Sequence, residues 1–414
     1  MPERRPPRLP LAIALLALLA LLPCCARAQD FELHGLLDVL AVSPADETGW
    51  TQGGLGKSRY GGDDANVHLG AAFLAASWQI APALSARADL QYQTAEHRHL
   101  DVQDAYLRYR PVSTTPWRWS VKAGAFFAPI SLENDSIGWT SPWTLTPSAI
   151  NSWVGEELRT VGAEFELEHR GQAHTFTAGF ALFGKNDPAG ELLADRGWSL
   201  SDLTSGLNAS VREPDVLAPV IFAPVPVEYR PFDEIDHRLG WYAYADWDSP
   251  AYGKFTVLHY DNRAEPDAYE HYRQREVFAW RTRFWSLGAR TRIGDVALLA
   301  QAMDGSTAFE PLPEFYLDTH FRAGYLLAGW EGGAWRPALR LDLFSLQQKP
   351  DTLSLPLSEH GNAVTAALNW RPTGRLRFTA EWLRIDSTRN QRTLEGLSPR
   401  QIDRQVQVAA RVVF

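Results

Sequence analysis

The chain has 414 residues, with 40 Lys and Arg against 49 Asp and Glu, a formal net charge of −9, and 12% of its residues are aromatic. A chain this acidic is a poor candidate for binding nucleic acid. Both of its cysteines, Cys24 and Cys25, stand close to the N-terminus, so no disulfide, thiolate metal site or cysteine nucleophile is expected in the rest of the chain.

The N-terminal segment has the pattern of a secretory signal peptide. Its basic start contains three arginines, Arg4, Arg5 and Arg8. An apolar run over 11–22 follows, and residues 26–28 (Ala-Arg-Ala) form a small-x-small cleavage site. Cleavage would remove residues 1–28 and leave one domain over 29–414 with 36 basic and 48 acidic residues, a net charge of −12. A lipid-modified cysteine is the less favoured alternative, because Pro23 fits poorly beside it.

After the signal peptide, alternation of apolar and polar residues with a period of two recurs to the end of the chain, which predicts β-strands long enough to cross a membrane. The last segment is the clearest, because one of its faces carries only apolar residues: Val406, Val408, Ala410, Val412 and Phe414. Sixteen such segments lie near 30–42, 65–80, 83–95, 99–111, 117–127, 156–170, 172–184, 237–248, 251–262, 276–288, 292–304, 318–330, 333–348, 361–372, 374–387 and 401–414.

The connections alternate in length along the chain. Those after even-numbered strands are short and rich in turn-forming residues, whereas those after odd-numbered strands are mostly long, with 96–98 as the brief exception. The long ones are 43–64, 128–155, 185–236, 263–275, 305–317, 349–360 and 388–400. Antiparallel transmembrane barrels have short turns at one end and long loops at the other. The sequence therefore predicts an all-β, closed antiparallel transmembrane barrel of sixteen strands with a water-filled interior.

The alternation also assigns faces, since a charge facing lipid at mid-membrane costs roughly 2–4 kcal/mol. The predicted inward basic residues are Arg87, Arg108, Arg110, Arg118, Lys122, Arg281, Arg283, Arg322, Arg336, Arg340, Arg377 and Arg411. The predicted inward acids are Asp89, Glu164, Glu166, Glu168, Asp246, Asp342 and Glu381. Two interpretations stay open: ordinary solvated charges that pair across strands, or rings of fixed charge that set ion preference.

The connection 128–155 contains Trp139, Trp143 and Trp153, too much apolar surface for a fully solvated loop. We expect it to fold toward the lumen, where Glu133 and Asp135 are the candidate acids facing the arginines. Packing on the rim or at a subunit contact is the alternative.

The stretch from Gly124 to Glu133 (Gly-Ala-Phe-Phe-Ala-Pro-Ile-Ser-Leu-Glu) resembles the segment from strand 5 to loop 3 of the phosphate-selective porin O/P-like family. The C-terminal strand ending on Phe414 also looks like that of outer-membrane proteins. The resemblance implies a trimeric sixteen-stranded porin with its third loop folded inward. Phosphate-selective members rely on a ladder of lysines, whereas this chain has five: Lys57, Lys122, Lys185, Lys254 and Lys349.

Together these features predict an outer-membrane porin that passes small hydrophilic, charged solutes by passive diffusion and carries out no chemistry. The alternatives are a substrate-gated channel for a specific anion or aromatic solute and, less favoured, a barrel enzyme. The expected partners are outer-membrane lipid, lipopolysaccharide, small solutes or ions and two further copies in a homotrimer, with no nucleic acid, cofactor or metal.

Overall fold

The computed structural model describes residues 30–62, 65–95, 98–313, 315–351 and 356–414. The predicted signal peptide, 1–28, lies outside the described residues. Within the described part of the chain, no helix is long and apolar enough to cross a membrane.

Sixteen antiparallel strands form one closed barrel. They are β1 Phe31–Ser43, β2 Val67–Ala81, β3 Leu84–Tyr92, β4 Leu100–Tyr109, β5 Trp117–Phe126, β6 Thr160–Arg170, β7 Thr175–Gly184, β8 Gly240–Ser249, β9 Gly253–Asp261, β10 Arg283–Ile293, β11 Val296–Leu312, β12 Phe315–Trp330, β13 Trp335–Lys349, β14 Glu359–Thr373, β15 Leu376–Arg389 and β16 Arg400–Val413. The last strand closes on the first, with Leu37 opposite Val412. Closure pairs the backbone N–H and C=O groups of the strands that would otherwise form the sheet edges, which is necessary for a sheet surrounded by hydrocarbon. The predicted closed antiparallel barrel of sixteen strands is confirmed.

The outer face of the barrel is apolar. Outward leucines are widely exposed, for example Leu326 at 62% and Leu343 at 68%. At the end with the short turns, Trp335 stacks on Trp370 with ring centroids 5.7 Å apart. At the other end, the ring of Trp285 lies 4.5 Å from that of His259. An apolar belt between aromatic girdles is the surface that a membrane-spanning barrel presents to lipid.

Two connections differ from the predicted ones. The tenth strand was expected at 276–288, but residues 275–278 pair with 269–272 in a separate small hairpin, and β10 begins only at Arg283. Both segments alternate, so the period alone did not distinguish a loop hairpin from a spanning strand. The expected long loop 305–317 is wrong as well, because β11 continues to Leu312 and β12 starts at Phe315.

Three predicted lumen residues do not face the lumen. On β10, Phe284 is buried among inward aromatic rings, so its neighbour Arg283 lies on the outer face. Arg322 is also outward, with 66% of its side chain exposed. Arg281 precedes β10 and shares the outward parity of Arg283. All three lie toward the long-loop end, where aromatic residues turn inward to pack on a loop, so the rule that apolar residues face outward fails there.

Helices occur in two of the long loops. Loop 3, residues 127–159 between β5 and β6, contains helix α1 (Ala149–Glu157), which occupies part of the segment 156–170 predicted as a strand. Loop 4, residues 185–239 between β7 and β8, contains helix α2 (Glu191–Arg196). Loop 4 also holds a two-stranded ladder that pairs Val211–Arg212 with Glu228–Tyr229.

Candidate functional site: the inner face of the barrel

Arg340 on β13 holds loop 3 against the inner face of the barrel. Its Nη1 donates to Glu133 Oε1 at 2.6 Å and to the carbonyl oxygen of Thr146 at 2.7 Å. Its Nη2 donates to the carbonyl oxygen of Pro147 at 2.8 Å, and its Nε donates to Asp342 Oδ2 at 2.8 Å. Arg340, Glu133 and Asp342 have no exposed side-chain surface, so this ion-paired network is fully removed from water.

Glu133 also organises the start of helix α1. Its Oε2 accepts hydrogen bonds from the backbone N–H of Ser148 and from Asn151 Nδ2, both at 3.0 Å. The Ser148 hydroxyl caps the helix by accepting the Asn151 N–H at 3.3 Å. The Ala149 N–H donates to Asp342 across to β13 at 3.2 Å. A carboxylate near a helix N-terminus is favourably placed. Glu133 therefore links Arg340 on the barrel to the helix in the loop.

Further inward polar side chains bind the backbone of the same loop. Glu381 on β15 accepts the N–H groups of Leu145 at 2.6 Å and Thr146 at 3.1 Å. Arg377 Nη1, on the same strand, donates to the carbonyl oxygen of Ser141 at 3.1 Å. A loop without regular structure leaves such backbone groups unpaired, and these side chains supply their partners. We call the inner faces of β11–β16, which loop 3 occupies, the covered wall.

Helix α1 contributes an aromatic core inside the barrel. Trp153 has no exposed surface, and its ring makes edge-to-face contacts with Trp198 of loop 4 at 6.0 Å and with the inward rings of Phe284 at 5.6 Å and Phe321 at 5.1 Å. Its indole N–H donates to Glu157 Oε2 at 2.6 Å. This packing fixes the helix on the covered wall.

The inner faces of β3–β9, which we call the open wall, carry ion pairs whose cations are 18–39% exposed. These are Arg87–Asp89 at 2.8 Å, Arg108–Glu166 at 2.8 Å, Arg110–Glu168 at 3.6 Å, Lys122–Glu164 at 2.9 Å and Lys254–Asp246 at 2.9 Å. The side chains of Arg87 and Arg108 are 39% and 34% exposed. Arg118 lies half-buried on the same face.

One ion pair joins loop 3 to the barrel in an exposed position. Asp135 Oδ2 lies 2.8 Å from Arg290 Nη1, and their side chains are 45% and 37% exposed. Arg290 points inward from β10, beside Lys254 of the open wall. The sequence analysis missed Arg290 because the displaced tenth strand put it in a predicted turn.

The predicted residues thus fall into four groups. Five line the open wall: Arg87, Arg108, Arg110, Arg118 and Lys122. Arg340 and Arg377 bind loop 3 from the covered wall, with Glu133 as the loop partner of Arg340, whereas Asp135 is exposed and pairs with Arg290. Arg281, Arg283 and Arg322 face outward.

Loop 4 crosses the barrel at the long-loop end. Its Trp198 indole N–H donates to the carbonyl oxygen of Ser345 on β13 at 3.0 Å. Further along, the N–H of Leu207 donates to the carbonyl oxygen of Val102 on β4 at 2.9 Å. Lys57, between β1 and β2, is buried beside Glu359 with 2.6 Å between the charged atoms, and its burial lowers its pKa to about 7. These contacts narrow the opening at this end.

No family model matches the sequence, and no curated protein matches it. Solved structures do match. The outer membrane channel DcaP of Acinetobacter baumannii has a TM-score of 0.55 and 10% identity over 93% of this chain and 97% of that one. OmpF of Salmonella typhi in complex with daunomycin has a TM-score of 0.52 and 11% identity over 93% and 97%. In-vitro folded OmpT of Vibrio cholerae, in a trimer form, has a TM-score of 0.51 and 9% identity over 93% and 99%.

The fold is that of an outer-membrane porin. At these identities the likeness concerns the fold alone. The fold, the closed barrel and its apolar belt together place the protein in the bacterial outer membrane.

Proposed function

We propose that the protein is a porin that lets small hydrophilic, charged solutes diffuse through an aqueous pore along the open wall. The supporting observation is the contrast in exposure between inward charges. Arg87 and Arg108 keep about a third of their side-chain surface, whereas Arg340 keeps none. An ionised side chain that points into a barrel surrounded by hydrocarbon retains such surface only where water reaches it.

The arrangement of the charges supports a pore for small ions of either sign. Each of five cations on the open wall faces a carboxylate, and Asp135 with Arg290 adds a pair from the loop 3 side. Opposite charges along a narrow passage produce a local electric field. The charged side chains can contact a passing ion in turn without binding it tightly. A phosphate-selective pore, which the family resemblance suggests, is the narrower candidate. Lys122 is already paired with Glu164, which weakens that case.

Loop 4 favours a second candidate, a gated channel for a specific anion or aromatic solute. Because loop 4 is hydrogen-bonded to β13 through Trp198 and to β4 through Leu207, a larger solute can pass only if this loop moves.

We further propose that the protein assembles as a homotrimer in contact with outer-membrane lipid and lipopolysaccharide. The apolar outer face supports the lipid contact. The trimer form of the structurally similar OmpT supports the assembly.

Planar-bilayer recordings of the refolded mature chain test the proposal. Stepwise conductance increments are expected, together with a reversal potential in a salt gradient that reports the summed charge of the pore. A barrel that inserts and gives no steps would contradict the porin function. Saturable block of the current by one solute class would instead favour the gated channel.

A further inference from the structure

Three carboxylates meet where the two ends of loop 4 come together. Asp187 lies three residues after β7, and Glu234 and Asp236 lie shortly before β8. One carboxylate oxygen of each lies within 4.8 Å of those of the other two. The backbone draws the ends together as well, since the N–H of Asp187 donates to the carbonyl oxygen of Asp233 at 3.2 Å. The cluster therefore joins segments about fifty residues apart in sequence.

Two oxygens of this cluster are buried without a hydrogen-bond partner. Asp187 is 1% exposed, and its Oδ2 accepts the N–H groups of Ile235 at 2.6 Å and Asp236 at 3.2 Å. Its Oδ1 has no partner among the described residues, and the same holds for Glu234 Oε1. A buried, unpaired carboxylate oxygen is costly, and the cost rises beside other carboxylates. A positively charged partner would therefore stabilise these two oxygens.

The described residues do not supply a positive charge to this cluster. In the part of the chain that the structure describes, no Lys, Arg or His forms an ion pair with any of the three acids. The neighbouring cations Arg230 and Arg238 pair elsewhere, with Asp233 at 3.8 Å and Glu265 at 3.3 Å.

A second acidic cluster in loop 4 differs because a cation lies within it. Glu191, Asp195 and Glu213 also place oxygens within 4.8 Å of one another. There the guanidinium of Arg275 lies among them, paired with Glu191 and with Glu213 at 3.0 Å. Among the residues that the structure describes, one cluster thus contains a cation and the other does not.

We propose that a calcium ion binds between Asp187, Glu234 and Asp236 and fastens the two ends of loop 4. Calcium takes six to eight oxygen ligands at about 2.3–2.6 Å, so two of its ligands lie within about 5 Å of each other. The spacing and the charge of −3 fit this ion, and water completes its coordination.

The bound ion stabilises the junction next to it. Asn186 donates through Nδ2 to the carbonyl oxygens of Glu157 in loop 3 at 2.6 Å and of Pro231 in loop 4 at 3.0 Å. Its Oδ1 accepts the hydroxyl of Tyr260 on β9 at 3.0 Å. Because Asp187 is the adjacent residue, calcium holds this junction together and keeps loop 4 across the barrel. This inference concerns loop 4 alone and stands whether or not the pore conducts.

Calcium titration of the refolded, lipopolysaccharide-free mature chain tests the proposal. After treatment with EDTA, isothermal titration calorimetry with CaCl2 is expected to show saturable one-site binding and a raised thermal midpoint. Asp187→Asn and Glu234→Gln should each weaken binding at least tenfold. Glu265→Gln, which removes a rim carboxylate already paired with Arg238, should bind calcium as the wild type does.

A second readout separates calcium binding from a structural role of the carboxylates. In EDTA, Asp187→Asn should be at least as stable as the wild type, because it removes charge repulsion. Addition of calcium should stabilise the wild type and Glu265→Gln but not Asp187→Asn. Folding of each variant is checked by its heat-modifiable mobility in gels. If Asp187→Asn does not fold, the test rests on the calcium affinity of Glu234→Gln. Absence of calcium binding by the folded wild type, or equal affinity in the two variants and the wild type, would overturn the proposal.

Discussion

The open wall and the covered wall both carry arginines that point inward and form an ion pair with a carboxylate. On the open wall, Arg108 pairs with Glu166 at 2.8 Å and keeps 34% of its side chain exposed. On the covered wall, Arg340 pairs with Glu133 at 2.6 Å and keeps none. The first pair is screened by water, and the second is not.

The exposure of an inward charge to water, more than its pairing, determines its role. A solvated pair adds little stability and remains available to passing ions. A buried pair, once formed, makes the removal of either partner costly, since the other is left as an uncompensated charge. The barrel therefore uses one set of arginines to line water and another to hold loop 3.

The largest expected effect comes from the buried pair. Arg340→Met should lower the free energy of unfolding by about 3–5 kcal/mol, because Glu133 and Asp342 lose their cation. Urea unfolding in detergent micelles, followed by tryptophan fluorescence, measures the change. Arg108→Met is the matched control from the open wall and should cost about 0–1 kcal/mol. Equal losses in the two variants would remove the distinction between the walls.

The next effect concerns the anchor of helix α1. Trp153→Phe keeps an aromatic ring but removes the indole N–H that donates to Glu157. Glu157 Oε2 keeps the N–H of Leu193 at 3.0 Å, and the loss of one hydrogen bond to a buried carboxylate costs about 1–3 kcal/mol. Trp335→Phe, on the lipid-facing girdle at 56% exposure, should change stability by roughly 0.5 kcal/mol. The same urea titrations apply, and a loss at Trp335 as large as that at Trp153 would contradict the packing described for α1.

A smaller change in stability, with a clear functional signal, is expected at the pair linking loop 3 to β10. Asp135→Asn should shift the reversal potential in a salt gradient toward anions, and Arg290→Gln should shift it toward cations. Both should alter the free energy of unfolding by about 0–1 kcal/mol, since the pair is exposed. Shifts of the same sign in the two variants would show that the pair does not border the pore.

The smallest effect is expected on the outer face. Arg322→Gln removes a partner of Asp304 on the lipid side, at a cost of about 0–1 kcal/mol. Single-channel conductance and ion selectivity should match those of the wild type. A conductance change comparable to that of Arg290→Gln would place Arg322 inside the barrel and reverse its assignment.

The strand pattern was predictable because each spanning strand must alternate between lipid and water, and most strands do so over their full length. The exceptions lie near the long-loop end, where Phe284 and Tyr260 stack at 5.0 Å inside the barrel. There the aromatic side chains face inward and pack on loop 3, so their polar neighbours face outward. For this reason the sequence analysis assigned Arg283 to the wrong face.

The division between the two walls was not predictable from sequence. Arg108 and Arg340 occur in equivalent alternating segments, and nothing local separates them. What separates them is loop 3, since Glu133 is 207 residues from Arg340 along the chain. The tryptophans of loop 3 indicated that it packs on something, but which strands receive it depends on side chains scattered over six strands. The charge pattern alone does not specify that choice.

Charged-thiol labelling during single-channel recording tests the division of the walls most directly, because both cysteines of the sequence lie within the predicted signal peptide. Three variants are treated in turn with a membrane-impermeant methanethiosulfonate: Arg108→Cys on the open wall, Ala363→Cys on the covered wall and Leu326→Cys on the lipid face. Ala363 lies opposite Asp342 and is 1% exposed. Only the Arg108→Cys current is expected to change on addition of the reagent. An Arg108→Cys channel that ignores the reagent, or an Ala363→Cys channel that reacts as fast, would contradict the account.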